Sequence, residues 1–553
     1  MTQLAILTRR ASLRGRPGWS ALVLLLAVLT AAPVVSVLLD GATSEARAWP
    51  SDLGAMVVTT VLLMLGVGAG TLVIGCGLAW LVTAYTFPLR NLMVWLLVLP
   101  LAMPAYILGF VFLSTFDAAS PVQQWLRAHV NDSIQVDVST LAGCAVVMSL
   151  TLYPYVYLMA RAAFAEQAPT TYDAARVLGA SRRRAFFRVL LPMARPSLAA
   201  GLALVMMEVL TDFATIQYFG VQTVSYGVYT TFKQSFNFAA AAQLASLVML
   251  FAVVVMAGER LLRGRARYTQ RGGRGSGLAP TRLPLVKGLL ATGACVAALL
   301  AAVIVPVIRL TGWAVDHARN GDGRPALGEG FLQALTNSAV VAVLAALLCV
   351  ALAVLMGHAL RLGAGRLVRS AAQLTTFGYA VPGVVIGIGV LLLLRHLDGA
   401  LVAVGIPGGT GLLATGSVVA ILCAYAVRFL GPAFQAVDAS YAKLPVSVTQ
   451  SALSLGSGPM RLFGRVHMPL IRPGVAVALV LVAIDAIKEL PIVLMLRPIG
   501  FDTVSAWVHR LATENLWGLA AAPALVIVGL AVVPVAILGR QVRAADRREG
   551  GRR

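Results

Sequence analysis

Long stretches of the chain contain no Asp, Glu, Lys or Arg. They include Trp19–Leu39, Ala55–Leu89, Asn91–Phe116, Val138–Ala160, Ala239–Gly258, Gly288–Ile308, Phe331–Leu360, Ser370–Leu394, Gly399–Val427 and Asn515–Gly539. A bilayer core about 30 Å thick takes roughly 20 apolar residues of helix, so each run predicts a membrane span. Two more apolar segments, Ser197–Phe219 and Pro473–Leu496, carry internal charges and bring the expected set to twelve. The first run follows Arg9, Arg10, Arg14 and Arg16 but is 21 residues long. That exceeds the core of a signal peptide and predicts a retained first helix.

Composition points the same way. Of 553 residues, 59% are hydrophobic and 12% charged, with a mean hydropathy of +0.85. Soluble domains carry about 25% charge, and disordered chains are poor in apolar residues, so both classes are excluded. Cys76, Cys144, Cys295, Cys349 and Cys423 all fall in apolar runs, where they read as small packing residues rather than a disulfide or metal framework.

Charge orients the spans. Loops on the side of the termini hold 34 Lys and Arg, the opposite loops 9. The positive-inside rule then places both termini in the cytoplasm. The net charge of +22 is accounted for by topology and lipid headgroups and implies no nucleic-acid partner.

The chain repeats itself. Shifted by 277, Asp173–Gly201 overlies Gln450–Ala478 with eleven of 29 positions identical, among them Gly179/Gly456, Arg184/Arg461, Pro192/Pro469 and Arg195–Pro196/Arg472–Pro473. Pro104 and Gly109 match Pro382 and Gly387 at a shift of 278. A basic Gly/Arg-rich stretch near the midpoint reads as a flexible cytoplasmic linker. The expected organisation is a first six-helix repeat over 1–262, a linker over 263–285 and a second repeat over 286–553. An even number of spans per half makes the repeats parallel, about an axis normal to the membrane.

The matched block follows the fourth span of each half and is therefore cytoplasmic. Gly179 can end a short helix by taking positive φ. A second basic helix follows over Ser181–Leu191, and Pro192 and Pro196 lead into the next span. At these residues the sequence resembles the permease subunits of bacterial binding-protein-dependent ABC importers, whose cytoplasmic EAA loop reads Glu-Ala-Ala, then Gly, then Leu/Ile-Pro. Here the first copy, about 165–196, stands as Asp173-Ala174-Ala175, Gly179 and Leu191-Pro192. The second copy, about 442–473, stands as Gln450-Ser451-Ala452, Gly456 and Met468-Pro469, departing at three positions. With fused halves, Asp485-Ala-Ile-Lys-Glu-Leu-Pro491 and Glu208-Val-Leu-Thr-Asp212, the chain looks most like the iron(III) subfamily.

The resemblance implies an all-α polytopic fold of about 12 spans in two parallel repeats and residence in the cytoplasmic (inner) membrane. It implies loops that dock on a cytoplasmic ABC ATPase homodimer, and a periplasmic or extracellular substrate-binding protein as the other partner. ATP and Mg belong to the ATPase, and no cofactor is expected on this chain. Thiamine, sulfate, polyamine and phosphonate are the alternative cargoes.

The residues themselves supply no nucleotide site. A P-loop needs Lys followed by Ser or Thr, and none of Lys233, Lys287, Lys443 and Lys488 is so followed. His358 and His467 read as interfacial residues near span ends. Tyr153, Tyr155, Tyr157, Tyr226 and Tyr229 read as aromatic belts.

Five charges lie inside spans. Glu208 and Asp212 are spaced i, i+4, and Asp485 and Glu489 stand at the equivalent positions of the second half, with Lys488 beside them. At about 1.5 Å per residue, Glu208 and Asp485 lie roughly 18 Å from the prolines that open their spans. A charge at that depth costs about 2.5–3.5 kcal/mol unless paired or wet. The five sum to −3 and suggest a cation-tolerant path; a structural packing cluster is the competing reading. Two other classes compete with an importer permease. A secondary carrier would have two similar halves but a signature loop after its second span. An intramembrane enzyme would use the Glu208 and Asp212 carboxylates.

Overall fold

The computed structural model describes residues 17–43, 49–130, 136–166, 174–235, 237–263, 280–320, 323, 325–362, 365–406, 408–410 and 416–550. Asp173 and most of the expected linker, 264–279, lie outside the described residues. The chain is helical nearly throughout. Its one small sheet among the described residues joins Tyr85–Thr86 in parallel to Thr281–Arg282.

The principal helices of the first half are α1 (Pro17–Thr43), α2 (Leu53–Ala84), α3 (Ala105–Thr115), α4 (Leu141–Glu166), α5 (Arg195–Thr211), α6 (Phe213–Tyr218) and α7 (Phe238–Arg263). Those of the second are α8 (Leu285–Leu299), α9 (Val305–Asn320), α10 (Glu329–Arg361), α11 (Gly383–Ala403), α12 (Val418–Ala442), α13 (Met468–Lys488), α14 (Pro491–Leu496), α15 (Val504–Thr513) and α16 (Trp517–Gly550). A π turn, Leu300–Ile304, joins α8 to α9. Among the described residues ten helices can cross a membrane, or up to twelve when two bent pairs are each taken as one span.

Several expected spans are redrawn. The run Asn91–Phe116 is bent by 89° between Arg90–Ala102 and α3. Its counterpart Ser370–Leu394 is an amphipathic helix, Arg366–Thr376, then a 3₁₀ turn and only then α11. The cause is shared: Pro104 (φ −59°, ψ 139°) and Pro382 (φ −56°, ψ 137°) are extended and start the spanning helix afresh. Gly399–Val427 is displaced, because α12 begins at Val418 and runs through Arg428 and Asp438 to Ala442. A count of uncharged residues stops at Arg428, whereas the helix continues because that side chain is paired inside the protein. The segments Ser197–Phe219 and Pro473–Leu496 are each broken, at Asp212 and at Glu489.

The described residues divide into two compact units. One draws on Met1–Ala48, Thr231–Ser246 and Glu329–Ala506. In it α10, α12 and α13 pack on one another, and α1 lies along α11 and the Arg366–Thr376 helix. Thus the first span of the chain packs on the middle of the second half. Gly389 permits it: a Cβ there would run into the Pro33 carbonyl of α1. Pro33 lies inside α1, and small residues are what let membrane helices approach so closely.

The other unit draws on Trp49–Thr230, Leu247–Gly328 and Trp507–Arg553. Here α2 packs on α4 and α5, and α9 packs on α16. Phe110, Trp313 and Trp517 stack at 5.8–6.5 Å between ring centroids. Tyr153 and Tyr157 are fully buried, and the Tyr157 hydroxyl donates to the Val94 carbonyl at 2.8 Å. Tyr229 stacks on Phe213 at 4.5 Å. Tyr153 and Tyr157 are core residues, not a headgroup belt, because they are enclosed within the unit; Tyr229 is half-buried against its aromatic partner.

Candidate coupling turns and intramembrane charges

The turn at Gly179 in the first half closes with a fixed set of bonds. Leu178 N–H donates to the Ala174 carbonyl at 3.0 Å, Gly179 N–H to Arg176 at 3.1 Å and Ala180 N–H to Ala175 at 3.0 Å. In the second half Leu455 donates to Ser451 at 3.0 Å, Gly456 to Leu453 at 3.1 Å and Ser457 to Ala452 at 3.1 Å. Every donor and acceptor of the first set has its repeat equivalent in the second. The last two bonds of each set form the closure that ends a helix on a left-handed residue. Gly179 has φ 86° and Gly456 φ 79°, which costs an L-residue with a Cβ about 1–2 kcal/mol. Gln450, Ser451 and Ala452 lie on the short helix Val446–Ser454.

Beyond each glycine the chain re-enters a helix. In the first half Ser181 Oγ caps it by accepting from Arg184 N–H at 3.3 Å, whereas Gly458 opens the second with no side-chain cap. A π turn follows, Phe186–Leu190 in the first half and Phe463–His467 in the second, and Pro192 and Pro469 stand just after it. The pair Arg182–Met193 and α5 is bent by 68°. Val177 and Leu178 are each 87% exposed and Leu455 is 85% exposed. Both turns therefore present aliphatic side chains beside the glycine.

The breaks in the fifth spans are equally matched. Asp212 (φ −86°, ψ 90°) ends α5, and its Oδ1 accepts from Thr215 N–H at 2.9 Å, capping α6. Its other oxygen accepts from the Thr215 hydroxyl. Glu489 (φ −66°, ψ 123°) ends α13, and its Oε1 accepts from Ile492 N–H at 3.4 Å, ahead of α14. Each carboxylate supplies an acceptor to a helix start that would otherwise leave N–H groups unsatisfied. Past each break a Thr-Val-Ser recurs. Val224 N–H donates to Thr60 Oγ1 of α2 at 3.0 Å, and Val504 N–H to Ser338 Oγ of α10 at 2.8 Å.

The charges themselves are distributed unequally. Glu489 is buried and paired with Arg428 at 3.2 Å. Asp485 pairs with Lys488 at 2.8 Å. Lys488 stands where the first half has Thr211, and Arg428 where it has Leu150. Glu208 and Asp212 form no ion pair with any described residue, and Asp212 is half-buried at its cap. The expected sum of −3 left out Arg428; with it the six charges sum to −2, and both carboxylates of the second half carry a cationic partner. Arg428 was missed because its charge ended an uncharged run and so read as loop.

The structure also corrects the reading of two histidines. His358 and His467 are fully buried, not interfacial. Their Nδ1 atoms lie 3.1 Å apart, and Thr449 Oγ1 lies 3.1 Å from His467 Nε2. The two positions are 109 residues apart, so nothing in their spacing announced the contact. Among the described residues no cluster of three or more His, Cys, Asp or Glu could hold a metal ion.

Residues 71–268 match the family of binding-protein-dependent transport system inner membrane components. The chain is 26% identical to an Fe(3+)-transport system permease protein, FbpB 2, of Haemophilus influenzae, over 88% of this chain and 90% of that protein. It is 30% identical to the sulfate transport system permease protein CysT of Escherichia coli, over 35% of this chain and 70% of that protein. It is 21% identical to a ferric transport system permease protein, FbpB, of Actinobacillus pleuropneumoniae, over 79% of this chain and 64% of that protein.

Proposed function

The chain belongs to the inner membrane permease components of binding-protein-dependent transport systems, and from that premise we propose that it is the membrane pathway of an ATP-driven importer for iron(III). The observation that carries the ATP-driven part is the duplicated turn at Gly179 and Gly456. A hydrogen-bond pattern kept in both halves, with Val177, Leu178 and Leu455 exposed beside it, suits two equivalent seats on a two-fold ATPase. The ATPase hydrolyses ATP with its own Mg, and a substrate-binding protein delivers cargo on the opposite side. Both termini and the midpoint linker are cytoplasmic on this reading, in line with the positive-inside count.

The cargo assignment rests on two supports. The FbpB 2 similarity extends over both halves, whereas the CysT similarity spans little more than one third of the chain. Glu208 and Asp212 supply negative charge in the first half without a cationic side chain bonded to either. A partly desolvated carboxylate pair lowers the barrier for a multivalent cation and raises it for an anion. Glu208, Asp212, Asp485, Lys488 and Glu489 line the path on this reading, with Glu489 and Asp485 held in ion pairs.

Sulfate is the second reading, and the 30% identity to the sulfate permease CysT favours it. The deciding experiment reconstitutes the chain with its ATPase and binding protein and compares uptake of iron(III) and sulfate. Iron uptake should fall in Glu208→Gln with Asp485→Asn while membrane insertion and ATPase association persist. Uptake of sulfate alone would overturn the iron assignment, and failed insertion would make the charges structural.

A further inference from the structure

The two halves hold their cytoplasmic turns by different chemistry. In the first half the contact is aromatic: Phe186 of the π turn lies 4.7 Å from Trp80 of α2 and 6.0 Å from Phe164 of α4. At the matching positions the second half has Phe463, His358 and Tyr441, with His467 in place of Leu190 and Arg361 in place of Thr83. Aromatic packing survives there, with His358 at 5.1 Å from Phe463 and 5.0 Å from Trp19. A hydrogen-bonded chain is added to it. Arg361 Nε donates to Thr449 Oγ1 at 3.3 Å, and Arg361 Nη2 donates to the Leu444 carbonyl. Thr449 meets His467 Nε2, and His467 Nδ1 meets His358 Nδ1.

We infer that Arg361, Thr449, His467 and His358 form a directional hydrogen-bond chain that fixes the second coupling helix to the head of α13, and that they are positioning residues for coupling. The inference rests on the proposed coupling role of that helix. One fixed group sets the direction. Arg361 can only donate, so it fills one acceptor site of Thr449 and favours the hydroxyl proton pointing on to His467. His467 Nε2 then accepts, its Nδ1 carries the proton, and His358 Nδ1 accepts it. That leaves the His358 proton on Nε2, which has no hydrogen-bond partner among the described residues. The two rings carry opposite tautomers, that of His467 set by the bond its other nitrogen makes.

The chain has a mechanical consequence. Thr449 sits mid-way along Val446–Ser454, and His467 closes the π turn that continues into α13. The other end of α13 carries Asp485, Lys488 and the break at Glu489. A shift of the coupling helix is therefore passed through one hydrogen bond into the helix bearing the intramembrane charges. Arg361 holds Leu444, just ahead of the same helix, to the end of α10. In the first half the corresponding contacts are made by aromatic packing.

The test uses the full chain with its ATPase and binding protein in lipid nanodiscs and proteoliposomes. Nitrogen-15 histidine resonances should show His467 as the Nδ1–H tautomer, the form free imidazole disfavours, and His358 as Nε2–H. Thr449→Val should shift the His467 resonance and lower iron(III) transported per ATP hydrolysed by about two- to tenfold, the range that one hydrogen bond allows. Thr449→Ser should restore both. His467 as Nε2–H, a Thr449→Val ratio equal to the wild type, or no recovery with Thr449→Ser would each overturn the inference. If the wild type moves neither iron(III) nor sulfate, the import reading fails and the coupling role fails with it, an outcome the variants alone could not produce.

Discussion

Asp212 and Glu489 hold equivalent places in the two halves: each interrupts its fifth span and caps the backbone N–H three positions further on. They differ in what else they touch. Asp212 takes the Thr215 hydroxyl, whereas Glu489 takes a buried arginine at 3.2 Å. The repeat thus keeps a backbone device while the electrostatics of the two copies diverge.

That divergence predicts unequal mutational costs. Arg428→Met leaves the Glu489 carboxylate buried without its cation and should destabilise the protein by about 3–5 kcal/mol. The double change Arg428→Met, Glu489→Gln should recover most of that loss. Asp212→Ala, which removes a cap with no ion pair, should cost about 0.5–2 kcal/mol. Thermal unfolding in detergent measures each variant, with Arg428 and Glu489 run as a double-mutant cycle. A double variant no better than Arg428→Met would show that the pair is not what holds the site.

The coupling turns make a prediction about backbone rather than side chain. A Cβ at Gly179 or Gly456 meets nothing within 4 Å, so any penalty comes from positive φ alone. Asn, which tolerates the left-handed region, should preserve transport-coupled ATP hydrolysis better than Val at both positions. Equal turnover in the Gly179→Val, Gly456→Val double variant and the wild type would mean that the turn is not the coupling element.

Close packing of the first span on α11 can be tested at Gly389. A Val side chain there would displace the Pro33 carbonyl, and overpacking of this kind costs about 1–3 kcal/mol. The expected result is a lower unfolding midpoint for Gly389→Val and a larger loss for Gly389→Leu. At Gly399, where a Cβ meets nothing within 4 Å, Gly→Ala should be neutral by the same assay.

Orientation follows from charge and can be read directly. A reporter fused near Gly273 should report the cytoplasm, as should reporters at either terminus, because the loops expected on that side hold 33 of the 44 Lys and Arg once Arg428 is counted with its helix. A periplasmic signal at Gly273 would remove the arrangement of six spans per half.

Much of this protein was already determined along the chain. Long uncharged apolar runs set the helical membrane class, since hydrocarbon leaves a helix few alternatives. The internal match between Asp173–Gly201 and Gln450–Ala478 set the two-fold repeat, and Gly179 and Gly456 set the turns, because positive φ and the bonds around it are local. The tertiary structure decided what depends on residues far apart. Arg428 is a loop charge by local rule and a buried partner of Glu489 by contact, and only the contact lets α12 run through it. His358 and His467 are distant in sequence yet meet at 3.1 Å. The packing of α1 against the second half depends on the absence of one Cβ at Gly389. Local patterns report the free energy of a segment in lipid; which segments then become neighbours is decided by packing and pairing between them, and that leaves no periodic trace in the sequence.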